Sequence, residues 1–165
     1  MSNTYTSFID TPLGKMRAAE KDGMIAGLWF EGQKYYPDTS RWIEMKERNL
    51  FKSLNIWIDG YFSGREKTCD LPLLLLGTPF QNRVWEILRQ IGYAQSLTYG
   101  QIAKKLAYDM NLPKMSAQAV GGAVGHNPIS LLIPCHRVLG SNGALIGYAG
   151  GIEKKRFLLK LEGIL

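Results

Sequence analysis

A cysteine, a histidine and an arginine stand in succession at Cys135-His136-Arg137, directly after the apolar run Leu131-Leu132-Ile133-Pro134. The run belongs in a core and the triplet does not, so the sequence sets a thiol at the rim of a core. A thiol attacks carbon as its thiolate, and a neighbouring cation, a histidine or a helix N-terminus favours that form. The chemistry within reach is nucleophilic displacement at carbon by sulfur. The same composition also fits a structural cysteine, because free cysteine is among the most buried residue types. Cys69 has no comparable neighbours, and two widely separated cysteines predict reduced thiols rather than a disulfide framework. His126 and His136 form neither a Cys-x-x-Cys nor a His-Glu-x-x-His pattern with their neighbours, so no metal site is expected.

The elements that must position Cys135 can be read from turn and cap signals. Thr4 to Ile9, Lys15 to Glu20 and Met24 to Phe30 are separated by Thr-Pro-Leu-Gly and Lys-Asp-Gly, which predicts a small antiparallel meander. Asp38 to Gly60 has helical spacing of its apolar residues, and one or two helices should cover the sheet. Gly77-Thr78-Pro79 breaks the chain, giving expected domains of 1–77 and 78–165. Beyond it, Thr78 and Pro79 can start a helix that Gly92 ends. Thr98-Tyr99-Gly100-Gln101 matches a capping box for a second helix to about Leu106, and Ser116 can cap a third over Ala117 to Val124. Two short helices joined by a turn suggest a helix-turn-helix. Glu153 to Glu162 reads as a final helix with Phe157, Leu158 and Leu161 as its apolar face.

The net charge of +6 is unevenly spread, with ten Lys/Arg against ten Asp/Glu up to Gly77 and ten against four after it. The excess points to a polyanionic partner for the second half, although a basic solvated surface has the same composition. No stretch approaches the roughly 20 apolar residues needed to cross a bilayer, and Met1-Ser2-Asn3-Thr4 does not open a signal peptide. A cytoplasmic protein without membrane attachment is expected.

Pro134-Cys135-His136-Arg137-Val138 resembles the active-site signature of the O6-alkylguanine-DNA alkyltransferases. The resemblance extends over Ser-Leu-Thr-Tyr-Gly-Gln-Ile-Ala at 96–103, Ala-Val-Gly-Gly-Ala at 119–123, Asn127-Pro128 and Gly147-Tyr148-Ala149-Gly150-Gly151. It ends at Leu158-Leu159-Lys160-Leu161-Glu162-Gly163, about 85 residues in the family's order, while the N-terminal half matches loosely. It implies an N-terminal α/β domain and an all-α, winged-helix-like C-terminal domain. It also implies irreversible transfer of an alkyl group from O6-alkylguanine to Cys135, one turnover per molecule. No cofactor is implied, because the protein is itself the second substrate.

By the same resemblance His136 is the base that, through a water, helps Cys135 ionise, and Glu162 orients His136. Asn127 braces the turn beneath the cysteine, and Tyr99 rotates the 3′ phosphate and protonates the leaving guanine. Val138, Tyr148, Ala149 and Gly150 line the base pocket, and Tyr99, Gly100, Gln118, Arg137 and Ser141 meet the DNA. The implied partner is duplex DNA, entered from the minor groove by a monomer that flips the damaged base out of the stack. Two departures stand out. Gln118 occupies the place of the arginine finger that many members insert into the vacated stack, and the N-terminal zinc ligands of some relatives are missing. Rival readings are a lesion-binding relative without transfer, which would lack the acceptor cysteine, a sequence-specific regulator, and a cysteine hydrolase, for which no oxyanion motif is present.

Overall fold

Asp22 and Gly23 both adopt positive φ, 52° and 75°, the two-residue turn whose twist suits a tight hairpin. In the computed structural model, which describes residues 2–165, that turn joins β2 (Gly14–Lys21) to β3 (Met24–Phe30). Gly14, at φ 105°, closes the turn from β1 (Thr4–Thr11). These three strands form the expected meander. The sheet is nevertheless mixed rather than antiparallel, because β4 (Ile43–Glu44) adds to β1 in parallel, giving the order β3-β2-β1-β4.

That added strand also shortens the helix expected over Asp38 to Gly60. The edge of β1 captures Ile43 and Glu44, with the Met45 N–H donating to the Thr6 carbonyl at 3.0 Å, and helix α1 runs only over Asn49–Phe62. Its buried positions Phe51, Leu54, Ile58 and Tyr61 recur at three- and four-residue intervals. Burial of each aliphatic or aromatic side chain of that kind favours the fold by roughly 1.5–3 kcal/mol.

The chain divides into two compact units, 1–76 with 128–130 and 77–127 with 131–165. The short excursion is hydrogen-bonded to β3: the Leu28 N–H donates to the Pro128 carbonyl at 2.8 Å, and the Ser130 N–H to the Leu28 carbonyl at 2.9 Å. Leu73 pairs with Ile25 further along the same strand. Both pieces cover an edge that would otherwise show unpaired donors and acceptors.

The second unit holds α2 (Pro79–Arg89), α3 (Tyr99–Asp109), α4 (Ala117–Gly125) and α5 (Ile152–Leu161). Thr78 and Thr98 each complete a capping box with a glutamine three residues on, and Ser116 accepts from the Ala119 N–H. The Trp85 indole N–H donates to the buried Ala123 carbonyl at 2.9 Å and ties α2 to α4. This unit is not purely helical: β5 (Leu97–Thr98) pairs in parallel with β6 (Val138–Leu139). The face of α5 is also shifted from the one read in the sequence. Lys155, Leu158, Leu159 and Glu162 lie inside and Phe157 is 41% exposed, because both ionic side chains find partners in the interior.

Candidate active site

The site is built on one irregular stretch of the second unit. Leu131 is buried with φ 70°, a left-handed conformation that costs a non-glycine residue about 1–2 kcal/mol, and it redirects the chain after the 128–130 excursion. Leu132 and Ile133 are buried as expected. Pro134, at φ −80° and ψ 66°, then closes an inverse γ-turn in which the Cys135 N–H donates to the Ile133 carbonyl at 2.8 Å. The Asn127 side-chain amide donates to that same carbonyl at 2.8 Å and also bonds the Cys135 sulfur. Asn127 therefore fixes the turn and contacts the atom the turn presents.

One 3₁₀ turn (Cys135–Arg137) follows and aims the next two side chains into the core. His136 Nε2 lies 2.6 Å from Glu162 Oε2. Arg137 donates from Nε to Oε1 at 2.8 Å and from Nη2 to Oε2 at 3.1 Å of the same carboxylate, and the Ala94 N–H reaches Oε1 at 3.1 Å. The remaining Arg137 contact runs from Nη1 to the Ile91 carbonyl at 2.6 Å. A carboxylate so surrounded by donors is ionised and can only accept, so the imidazole proton sits on Nε2 and Nδ1 keeps its lone pair. Glu162 thus fixes which ring nitrogen carries the proton.

This geometry corrects two expectations. Arg137, assigned to DNA from the sequence, is buried and committed to Glu162 and Ile91, so it has no free face for a phosphate. Nor do the charged neighbours hold Cys135 as a thiolate. Burial is the largest influence and raises the thiol above its ordinary range, against smaller downward pulls from Asn127 and Lys155. Burial likewise lowers His136, outweighing its bond to Glu162. The resting pair is neutral thiol and neutral imidazole.

The β5–β6 pairing, with Leu97 opposite Val138 and Thr98 opposite Leu139, carries Tyr99, the first residue of α3, toward the Cys135 turn. Its hydroxyl lies 3.4 Å from the Ile146 carbonyl, and burial, followed by Cys135, raises its pKa. Val138 is fully buried, while Tyr148, Ala149 and Gly150 are half-exposed in a loop where the Gly151 N–H donates to the Tyr148 carbonyl at 3.0 Å. Gly100, Gln118 and Ser141 are all exposed, Gln118 in the first turn of α4 and Ser141 in a second short 3₁₀ turn. His126 caps the exposed end of α4.

Lys155 is the participant the sequence reading missed. It is completely buried, and its ammonium donates to the Val138, Ile146 and Gly147 carbonyls at 2.5, 2.8 and 2.9 Å. Within Lys154-Lys155-Arg156 it reads as part of a solvated charge run. The legible signal was positional, since residues 155, 158, 159 and 162 form a single helical stripe.

The turn thus places a buried thiol next in sequence to a histidine held by a buried carboxylate, the groups that nucleophilic chemistry at a cysteine would need. Comparison with known proteins adds the family. The model of the 6-O-methylguanine DNA methyltransferase, ribonuclease-like domain matches residues 4–75, and that of the 6-O-methylguanine DNA methyltransferase, DNA binding domain matches residues 79–164. Methylated-DNA--protein-cysteine methyltransferase of Haemophilus influenzae is 39% identical over 99% of this chain and 89% of its own. That of Methanosarcina acetivorans is 39% identical over 96% and 98%. Among solved structures, Mycobacterium tuberculosis OGT in complex with DNA superimposes with a TM-score of 0.87, at 38% identity over 96% of this chain and 93% of that one. The chain belongs to the 6-O-methylguanine DNA methyltransferase family.

Proposed function

We propose that this protein repairs alkylated DNA by moving the alkyl group of O6-alkylguanine onto its own Cys135, once per molecule. The observation that carries the reading is the 2.6 Å contact of His136 Nε2 with the buried Glu162 carboxylate, next in sequence to a cysteine fixed at the end of a γ-turn. His136 Nδ1 takes the Cys135 proton, relayed by a water, as the sulfur attacks. The S–C bond forms as the C–O6 bond breaks, and the electron pair passes into the guanine ring, which Tyr99 protonates. The products are S-alkylcysteine and guanine, so no cofactor is consumed. Because both resting groups are neutral, ionisation and attack are coupled, and the reactive thiolate exists only when a base is in place.

Residues 1–77 and 78–165 act as domains in this reading. In the second, α3 and α4 form a helix-turn-helix of winged-helix type that enters the minor groove. Gly100, Gln118 and Ser141 meet the DNA, and Val138, Tyr148, Ala149 and Gly150 receive the flipped base. A cytoplasmic monomer acting on duplex DNA suffices, and none of the helices among the described residues is long and apolar enough to cross a membrane. Intact mass after incubation with a duplex carrying O6-methylguanine tests the function. A gain of one methylene, located by peptide mapping at Cys135, is expected. An unchanged mass, or modification elsewhere, refutes it.

A further inference from the structure

The proposed transfer uses Cys135, His136, Glu162, Asn127 and Tyr99, and leaves the fully buried Lys155 without a task. Lys155 sits on the inner stripe of α5, where a lysine is costly to bury unless its charge is satisfied. The groups that satisfy it are three carbonyls from two separate segments: Val138 in β6, and Ile146 with Gly147 in the loop leading to Tyr148. Tyr99 leans on the same loop, since its hydroxyl approaches the Ile146 carbonyl. Gly147 has φ 68°, and a Cβ placed there would come within 3.2 Å of that hydroxyl. The loop is therefore pinned from below by one ammonium and from the side by one tyrosine.

We propose that Lys155 is a positioning residue, whose protonated amine clamps the 144–151 loop to β6 and so holds the base-receiving wall in register with Cys135. An ammonium has three N–H donors, and here three acceptors take them. Removal of the proton leaves two donors and a lone pair facing a carbonyl, so at least one tether is lost. The clamp is also titratable near the working range, because burial lowers the Lys155 pKa to about 8. The groups facing it are the Cys135 thiol, which pulls that value up, the His136 ring, and the Tyr99 ring at 6.0 Å. An arginine cannot substitute, since its planar fork spreads its donors over a wider arc than three converging carbonyls accept.

The inference rests on the alkyl-transfer reading for its consequence, but not for its geometry, and two measurements separate them. The first is hydrogen exchange of peptides spanning 144–151 in the free protein from pH 7 to 9.5, corrected for intrinsic exchange. Protection should fall at least tenfold across the Lys155 titration in the wild type, and should be low at every pH in Lys155→Met and Lys155→Arg. The second is single-turnover transfer at saturating O6-methylguanine DNA, set beside reaction of the Cys135 peptide with iodoacetamide. Transfer should decline above pH 8 while iodoacetamide reactivity climbs, and in Lys155→Met transfer should be at least tenfold slower with no alkaline decline. Loop protection independent of pH in the wild type overturns the clamp, even if Lys155→Met fails to fold. Transfer that rises in parallel with iodoacetamide reactivity does so as well. A loop that opens on cue in a protein that never alkylates Cys135 leaves the clamp standing and removes the proposed function.

Discussion

Cys135 and His136 are held in uncharged forms by burial, and that sets what substitution should do. Cys135→Ala should abolish transfer and keep DNA binding, while Cys69→Ala should keep both, as intact mass and a binding titration would show. For His136→Ala the single-turnover rate at pH 7 should fall by roughly 10²-fold or more, the scale of a lost general base. Its pH dependence should change as well. Since burial pushes the His136 pKa below its ordinary 6.5, the wild-type base is available from pH 6.5 upward and the rate should be nearly flat to about pH 7.5, before the Lys155 titration at about 8 sets in. Without the imidazole the rate should follow the thiolate fraction, rising about tenfold per pH unit, because each step multiplies the ionised form by that factor. A flat profile in His136→Ala would remove the histidine from the proton's path.

At the scale of elements, α4 presents Gln118 at its exposed first turn, where the family resemblance sets an arginine that fills the vacated stack. A glutamine has less reach and no charge, so it should hold an extruded base less firmly against the few kcal/mol cost of flipping. Gln118→Arg should speed repair in duplex more than in single-stranded DNA, and Gln118→Ala should slow duplex repair further. Equal duplex rates for all three proteins would assign the finger elsewhere. The helices that carry these residues were legible because their starts are chemically explicit: Thr78, Thr98 and Ser116 each accept the backbone N–H that the sequence reading assigned to them. The errors arose where tertiary partners decide. Nothing local in Ile43-Glu44 reveals that the edge of β1 will capture it. Arg137, which the resemblance assigned to DNA, has its carboxylate partner 25 residues away, and Lys155 drew no assignment because its acceptors are carbonyls, which carry no side-chain signature.

For the molecule as a whole, burial redistributes the charge available to a polyanion. Of the ten Lys/Arg and four Asp/Glu after Gly77, Arg137, Lys155 and Glu162 are interior, which leaves a surface surplus of five. DNA affinity should fall linearly on a double-logarithmic salt plot with a slope of magnitude up to about 4.5 if the surplus neutralises five phosphates at about 0.9 each, and a salt-independent affinity would contradict this. The buried imidazole also makes a stability prediction. A folded-state pKa below the unfolded value means that the unfolded chain binds the extra proton, so His136 contributes stability above pH 6.5 that is lost as the pH falls below it. Urea midpoints should drop from pH 7 to 5, and should drop less in His136→Gln. The excursion of Pro128–Ser130 onto β3 has a consequence in time. During synthesis at about 5–20 residues per second, the roughly 100 residues separating Leu28 from Ile129 take about 5–20 s to appear. For that interval the nascent sheet shows an edge at Leu28 whose own cover has not yet been translated. On a crowded polysome, where neighbouring chains offer the same edge at the same stage, the opportunity for strands of different molecules to pair is greatest before Cys135 exists.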